Sequence, residues 1–324
     1  MLSGAACRYA DGVWPNRLAL AYVVGGQATA LALFAAAPAW GARLVGVLLA
    51  AHSLLIATYL VHECIHESIF RDKRRNARLG AALAWLAGGG AAGYERLRRK
   101  HLHHHLDRVD PSAFDHHAVF AAHPTTHLAI VALEWLHVPA LDLLLRAVPA
   151  WRALRRPAFA AERGRVAGAL ATRLAGAAAL LALGGSVLAS YAVAYLLFVV
   201  AARFFDAFHH TFDVVVMADF GLDFGPEPDK DRAYEPANTY SNLLPRRWTA
   251  LNLLVLNFTY HNAHHRKPGV PWHRLRALDA QLFGADARQV VPARWLLADF
   301  HALRLARLAG QPGAGAVAVS LLTV

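Results

Sequence analysis

Phe258-Thr-Tyr-His-Asn-Ala-His-His-Arg-Lys-Pro-Gly-Val-Pro-Trp272 is the stretch from which the chain is best read. His261, His264 and His265 stand at i, i+3 and i+4, a spacing that places three imidazoles on one face of a helix. The pattern recurs at His101, His104 and His105, and a shorter version, i and i+4, occurs at His62 and His66. Each cluster closes an apolar segment or follows a basic one. Eight histidines grouped in this way exceed what one catalytic metal needs and suit two. Only Cys7 and Cys64 are present, so neither a disulfide framework nor cysteine-held zinc or iron–sulfur is available. His62-Glu63-Cys-Ile-His66 also fits the H-E-x-x-H pattern of a zinc hydrolase, a rival reading that leaves six clustered histidines without a role.

Outward from the clusters, the chain is that of a membrane protein. Of its 324 residues, 56% are hydrophobic and 17% charged, against about 25% charged in ordinary soluble domains. Net charge is +11. With so much apolar sequence, that charge points to an anionic membrane face or an acidic substrate carrier and not to nucleic acid. Apolar runs at about 18–40, 44–61, 166–189 and 191–208 are long enough to cross a bilayer and form two hairpins, turned near 38–43 and at Gly184-Gly-Ser186. The fold class expected is an all-α membrane protein. Four transmembrane helices are joined by interfacial amphipathic helices and a cytosolic histidine-rich cap, in a single domain covering 1–324.

Several connecting segments carry their own expectations. Residues 79–93 read as an interfacial or re-entrant helix that contains Gly88–Gly90, a run suited to a helix break or close packing, and 123–148 as an amphipathic helix on the membrane. Residues 149–165 read as a polar connector, 218–247 as a loop and the Gly- and Ala-rich C-terminus as a loose tail. Of the 33 Lys and Arg, 16 fall within 63–165 and 12 after His210, whereas the hairpin turns hold Arg43 alone. The positive-inside rule then places every histidine cluster in the cytoplasm, on one side of a multi-pass protein.

Arg203-Phe-Phe-Asp-Ala-Phe-His-His210 ends the fourth run. Asp206 and His210 stand one turn apart, so His210 is a ninth candidate ligand, with His209 as the alternative. Asp206, Glu63, Glu67 and Asp110 are candidates to orient the imidazoles. Arg203 is spaced to pair with Asp206, and Arg173 to reach back to the interface. His103 lies off the box pattern. His52, His116, His117, His123, His127, His137, His273 and His301 read as polar surface residues.

The three boxes resemble those of the integral-membrane fatty acid desaturase superfamily, which also holds hydroxylases, ketolases and acetylenases. His62–His66 is similar to the family's first box, and His101–His105 and His261–His265 are similar to its two H-x(2–3)-H-H boxes. Asp206 and His210 resemble an asparagine–histidine pair of the family, with Asp in place of Asn. Tyr260 to Trp272 resembles bacterial members, and the likeness covers about 45–275. The resemblance implies two iron ions held by His62, His66, His101, His104, His105, His210, His261, His264 and His265. It also implies O2 as co-substrate, with Asp206 beside the metals or on one of them. The substrate implied is a fatty acyl chain linked to lipid, CoA or acyl carrier protein. Electrons would come from a separate ferredoxin or cytochrome b5-type protein, since the chain carries no donor motif of its own. Hydroxylase, ketolase and acetylenase activity are the alternatives within the superfamily. A non-catalytic histidine-rich metal-binding or transport protein is the alternative outside it, disfavoured by spans made almost wholly of Ala, Leu, Val and Gly.

Overall fold

The computed structural model describes residues 5–36, 39–216, 230–231, 233–244, 248–284, 289–311 and 321–322. They form two compact units, 1–94 with 150–201 and 95–149 with 202–324. Much of 218–247, part of the first hairpin turn and the Gly- and Ala-rich tail lie outside the described residues.

The first unit is built on two long apolar helices, α1 (Val13–Ala36) and α2 (Trp40–Ile65). They pack closely because small residues face each other. A Cβ at Gly46 would sit 2.7 Å from the Phe34 ring. Between them Gln27 donates to the Ala50 carbonyl and to Ser53 Oγ, at 3.0 and 2.7 Å. Ala30, Phe34 and Ala50 continue into a core with Val187 and Ala194. α3 (Lys73–Ala87) starts at Asp72, whose carboxylate accepts from the Arg74 amide, and stops at Gly88. Gly88 has φ +102°, a left-handed cap that glycine adopts without Cβ strain. The segment expected as a helix over 79–93 is thus shifted, running from the basic stretch to the break at the glycine run.

Two later helices complete the hydrophobic set, α8 (Ala160–Leu183) and α9 (Gly185–Asp206), separated by Gly184 alone. Together with α1 and α2 they are, among the described residues, four helices long and apolar enough to cross a membrane. Leu174, Leu181 and Leu183 of α8 are 71, 56 and 61% exposed, which in water would be an aggregation face and in a bilayer is the lipid-facing one. Trp14 and Trp40, near the starts of α1 and α2, are exposed where interfacial aromatics anchor a span. Arg173 turns back to donate to the Trp85 and Leu86 carbonyls, capping the end of α3.

The second unit is assembled from short elements. They are α4 (Tyr94–Asp107), β1 (Val109–Ser112), α5 (His116–Ala122), α6 (Pro124–Trp135) and α7 (Ala140–Arg155), and then, after α9, β2 (Asp213–Val216). They continue with α10 (Tyr234–Ala237), α11 (His261–Arg266), α12 (Leu275–Leu282), α13 (Ala293–Ala302) and α14 (Arg304–Leu308). Phe114, Phe120, Ile130, Leu141, Leu145 and Leu308 form one apolar core, and Tyr260, Ala263, Leu275 and Leu278 another.

Three expectations change. The amphipathic stretch 123–148 is two helices, broken where His137 takes φ +60° and Val138 precedes Pro139, a position that disfavours helix. The polar connector 149–165 is almost wholly helical. Its Arg, Ala, Leu and Glu are strong helix formers, and only the single turn at Pro157–Phe159 interrupts them. Arg203 bonds to Glu134 and Asp142, at 2.6 and 2.5 Å, in place of Asp206.

Candidate metal centre

α4 presents His101, His104 and His105, and α11 presents His261, His264 and His265, each at the helical spacing read from the sequence. What aligns them with His210 is the parallel pairing of β1 with β2, in which Val109 faces Asp213 and Asp110 faces Val214. β1 leaves α4 directly and β2 follows His210, so this register draws His104 beside His210. An antiparallel bridge between His210 and Thr239 holds the latter from its other side.

Four imidazoles, His104, His210, His261 and His265, converge with ligand nitrogens within 4.8 Å of one another, all of them buried. His104 Nε2 stands 3.1 Å from His210 Nε2, which stands 2.7 Å from His261 Nε2. These contacts cannot all be hydrogen bonds. His104 Nδ1 faces the Val109 carbonyl and Asp110 Oδ1, both at 3.0 Å, and so carries the proton, which leaves Nε2 as a lone pair. His265 Nδ1 faces Glu235 Oε1 at 2.9 Å, so its Nε2, buried and without a hydrogen-bond partner, is also a lone pair. His210 Nε2 carries either one proton or one lone pair, so it can complete a hydrogen bond with His104 or with His261 but not with both. Lone pairs packed together in a dry interior are each worth about 1–3 kcal/mol of destabilisation. A divalent cation among them removes that cost, and the donor set fits one.

Electrostatics act in the same direction. Burial, and then the neighbouring imidazoles, hold the pKa of His210, His261 and His265 well below the usual histidine value, so each is neutral and ready to ligate at pH 7. A second set in the same unit is His101, His105 and His264. His105 Nε2 lies 3.1 Å from His101 Nε2 and 3.2 Å from His264 Nε2.

The remaining candidates fall as follows. In the first unit, His62 and His66 have ring centroids 4.6 Å apart at the end of α2, with His66 just past the last helical residue. Glu63 lies 3.5 Å from His62 Nδ1 and accepts from Ser68 Oγ. Glu67 faces Lys73 at 3.7 Å. His209 is stacked on His261, centroids 4.1 Å apart, outside the four-histidine group, with burial lowering its pKa to about 3. His103 bonds to Asp107. Asp206 belongs to none of the histidine groups found among the described residues. It acts electrostatically on Lys100, whose pKa burial lowers to about 8 against the opposing pull of Asp110 and Asp206. His116, read as a surface residue, is 5% exposed and packs against His117 and Phe120.

Glu235 was missed in the sequence, since it lies in a stretch read as loop. Nothing in its spacing announces it, because it reaches His265 across 30 residues.

Comparison with known families gives a match to the model described as fatty acid desaturase over residues 38–296. No curated protein matches the chain.

Proposed function

The chain belongs to the fatty acid desaturase family, and on that premise we propose that it introduces a double bond into a fatty acyl chain. The reading takes residues 1–324 as one functional domain of a multi-pass membrane protein with its metal centre on the cytoplasmic side. Two irons would be held by His62, His66, His101, His104, His105, His210, His261, His264 and His265. When bound, they supply the O2-derived oxidising power that an unactivated methylene demands and no side chain possesses. The balance requires two electrons from the substrate and two from an external donor of the ferredoxin or cytochrome b5 type. Two hydrogens leave adjacent carbons and, with two protons taken from solvent, both oxygen atoms end as water.

The observation that carries this reading is the convergence of His104, His210, His261 and His265, with contacts that cannot all be hydrogen bonds. The chain's own residues do the positioning. Asp110 fixes the His104 tautomer. Burial keeps the imidazoles neutral and excludes water, which protects a strong oxidant from side reactions. Asp206, a ligand or a group beside the metals in the sequence reading, also acts on Lys100, one residue before His101. The positive segments beside the spans match an acyl chain with an acidic or phosphorylated carrier, whether lipid, CoA or acyl carrier protein.

The test is acyl-chain profiling by mass spectrometry of cells that express the protein with a reductase and ferredoxin. A new unsaturated chain, lost in His261→Ala, is the expected result. An oxygenated chain in its place would assign the protein to the hydroxylating branch of the family.

A further inference from the structure

Glu235 stands where the two histidine sets of the second unit meet. One ligand atom from each of His105, Glu235 and His265 lies within 4.8 Å of the other two, and the His105 and His265 rings are 4.2 Å apart by centroid. His105 belongs to one set and His265 to the other. The carboxylate is held from several directions. Its Oε1 lies on His265 Nδ1 at 2.9 Å, and its Oε2 faces Arg108 Nε at 4.0 Å. Arg108 is fixed in turn by donating to the Lys230 carbonyl at 2.9 Å, while Lys230 Nζ donates back to the Arg108 carbonyl at 3.0 Å. The single turn α10 that carries Glu235 is tied down by Thr239 Oγ1, which donates to the Glu235 carbonyl at 2.8 Å, and by Asn238 Nδ2 on the Tyr234 carbonyl at 2.9 Å.

A neutral imidazole has one proton and two nitrogens. An anionic acceptor at Nδ1 assigns the proton there and leaves Nε2 as the donor atom. We propose that Glu235 is a positioning residue that holds His265 in the Nδ1–H form and fixes its ring rotation. His265 Nε2 is thereby delivered to the metal position it shares with His104, His210 and His261. Glu235 does for α11 what Asp110 does for α4, but from a separate segment, so α10 with Asn238 and Thr239 becomes part of the centre. This inference rests on the metal-centre reading above.

The experiment is a cobalt titration of the purified, metal-stripped protein in detergent, followed by visible absorption. It compares wild type, Glu235→Gln and Glu235→Ala, with the melting temperature of each metal-free protein measured alongside. Wild type should take two cobalt ions. Glu235→Ala should weaken one of the two binding steps by about 10- to 100-fold, the usual cost of losing such a partner, and shift the absorption band of that step alone. Glu235→Gln keeps an oxygen acceptor and should recover much of the affinity, and the metal-free melting temperatures should agree. The proposal is overturned if Glu235→Ala binds both ions as wild type does. It is equally overturned if both variants lose affinity in parallel with a lowered metal-free melting temperature, which is the mark of a purely structural residue. A wild type that takes one cobalt or none overturns the two-metal reading itself, a failure distinguishable from either of these.

Discussion

His104 and His265 each turn Nδ1 to a carboxylate and Nε2 inward, and the chemistry of the centre follows from that shared orientation. His104→Ala and His261→Ala should each abolish oxidation while leaving a membrane-inserted protein, checked by product formation beside detergent extraction and size exclusion. The boxes were legible because i, i+3 and i+4 is a local pattern. Asp110 was legible because it stands six residues from His104. Glu235 was not, because tertiary pairing alone brings it to His265. His116 is a different kind of miss, since polarity suggested exposure and the fold buries the ring. Its pKa is lowered to about 4, chiefly by burial and then by His117, with Asp115 and the Leu308 backbone opposing. In the unfolded chain it titrates near 6.5. A depressed histidine pKa means that the unfolded state binds the proton more readily. His116 therefore contributes stability above about pH 6.5 that is lost as pH falls towards 4. His116→Gln should narrow the drop in denaturation midpoint between pH 7 and pH 5, while cobalt binding stays as in wild type. An unchanged drop would contradict this.

Among the elements, the long apolar helices and the glycine break after α3 were readable, since length, hydropathy and a left-handed cap are properties of contiguous sequence. The strands were not. Val109-Asp-Pro-Ser112 is four residues long and contains a proline, which no alternation rule marks as a strand, yet its pairing with Asp213–Val216 sets the register of the histidines. Arg203 misled because helical spacing offered Asp206, whereas tertiary folding supplied Glu134 and Asp142. Close helix packing gives a sharp test in the first unit. A Cβ at Gly80 of α3 would lie 2.2 Å from Tyr94 Cε2 and 3.0 Å from Cys64 Cβ, and Gly164 of α8 has nothing within 4 Å. Gly80→Ala should cost about 1–3 kcal/mol by overpacking. Gly164→Ala should be neutral or stabilise by up to about 1 kcal/mol through helix propensity. Thermal melting in detergent distinguishes them, and equal midpoints would show that α3 can yield.

For the whole molecule, the distribution of Lys and Arg makes a prediction about sides. With Cys7 and Cys64 replaced, cysteines introduced as Gly41→Cys and Ser186→Cys should react with an impermeant reagent in intact cells. Those introduced as Arg99→Cys and Lys267→Cys should react only after permeabilisation. Labelling of the last two from opposite sides would make a centre shared by α4 and α11 impossible. The family and the four apolar helices were legible before any coordinates, because both rest on composition and on motifs with fixed spacing. The reaction was not, because desaturation and oxygen insertion use the same ligands and differ in where a carbon is held. The proposed oxidation nonetheless depends on two metals being iron. The most direct measurement is the metal content of the purified protein by mass spectrometry, per chain. Two irons are expected, falling in His261→Ala and unchanged in His116→Gln. One zinc and no iron would contradict the oxidase reading and favour the H-E-x-x-H hydrolase at His62-Glu63-Cys-Ile-His66 instead.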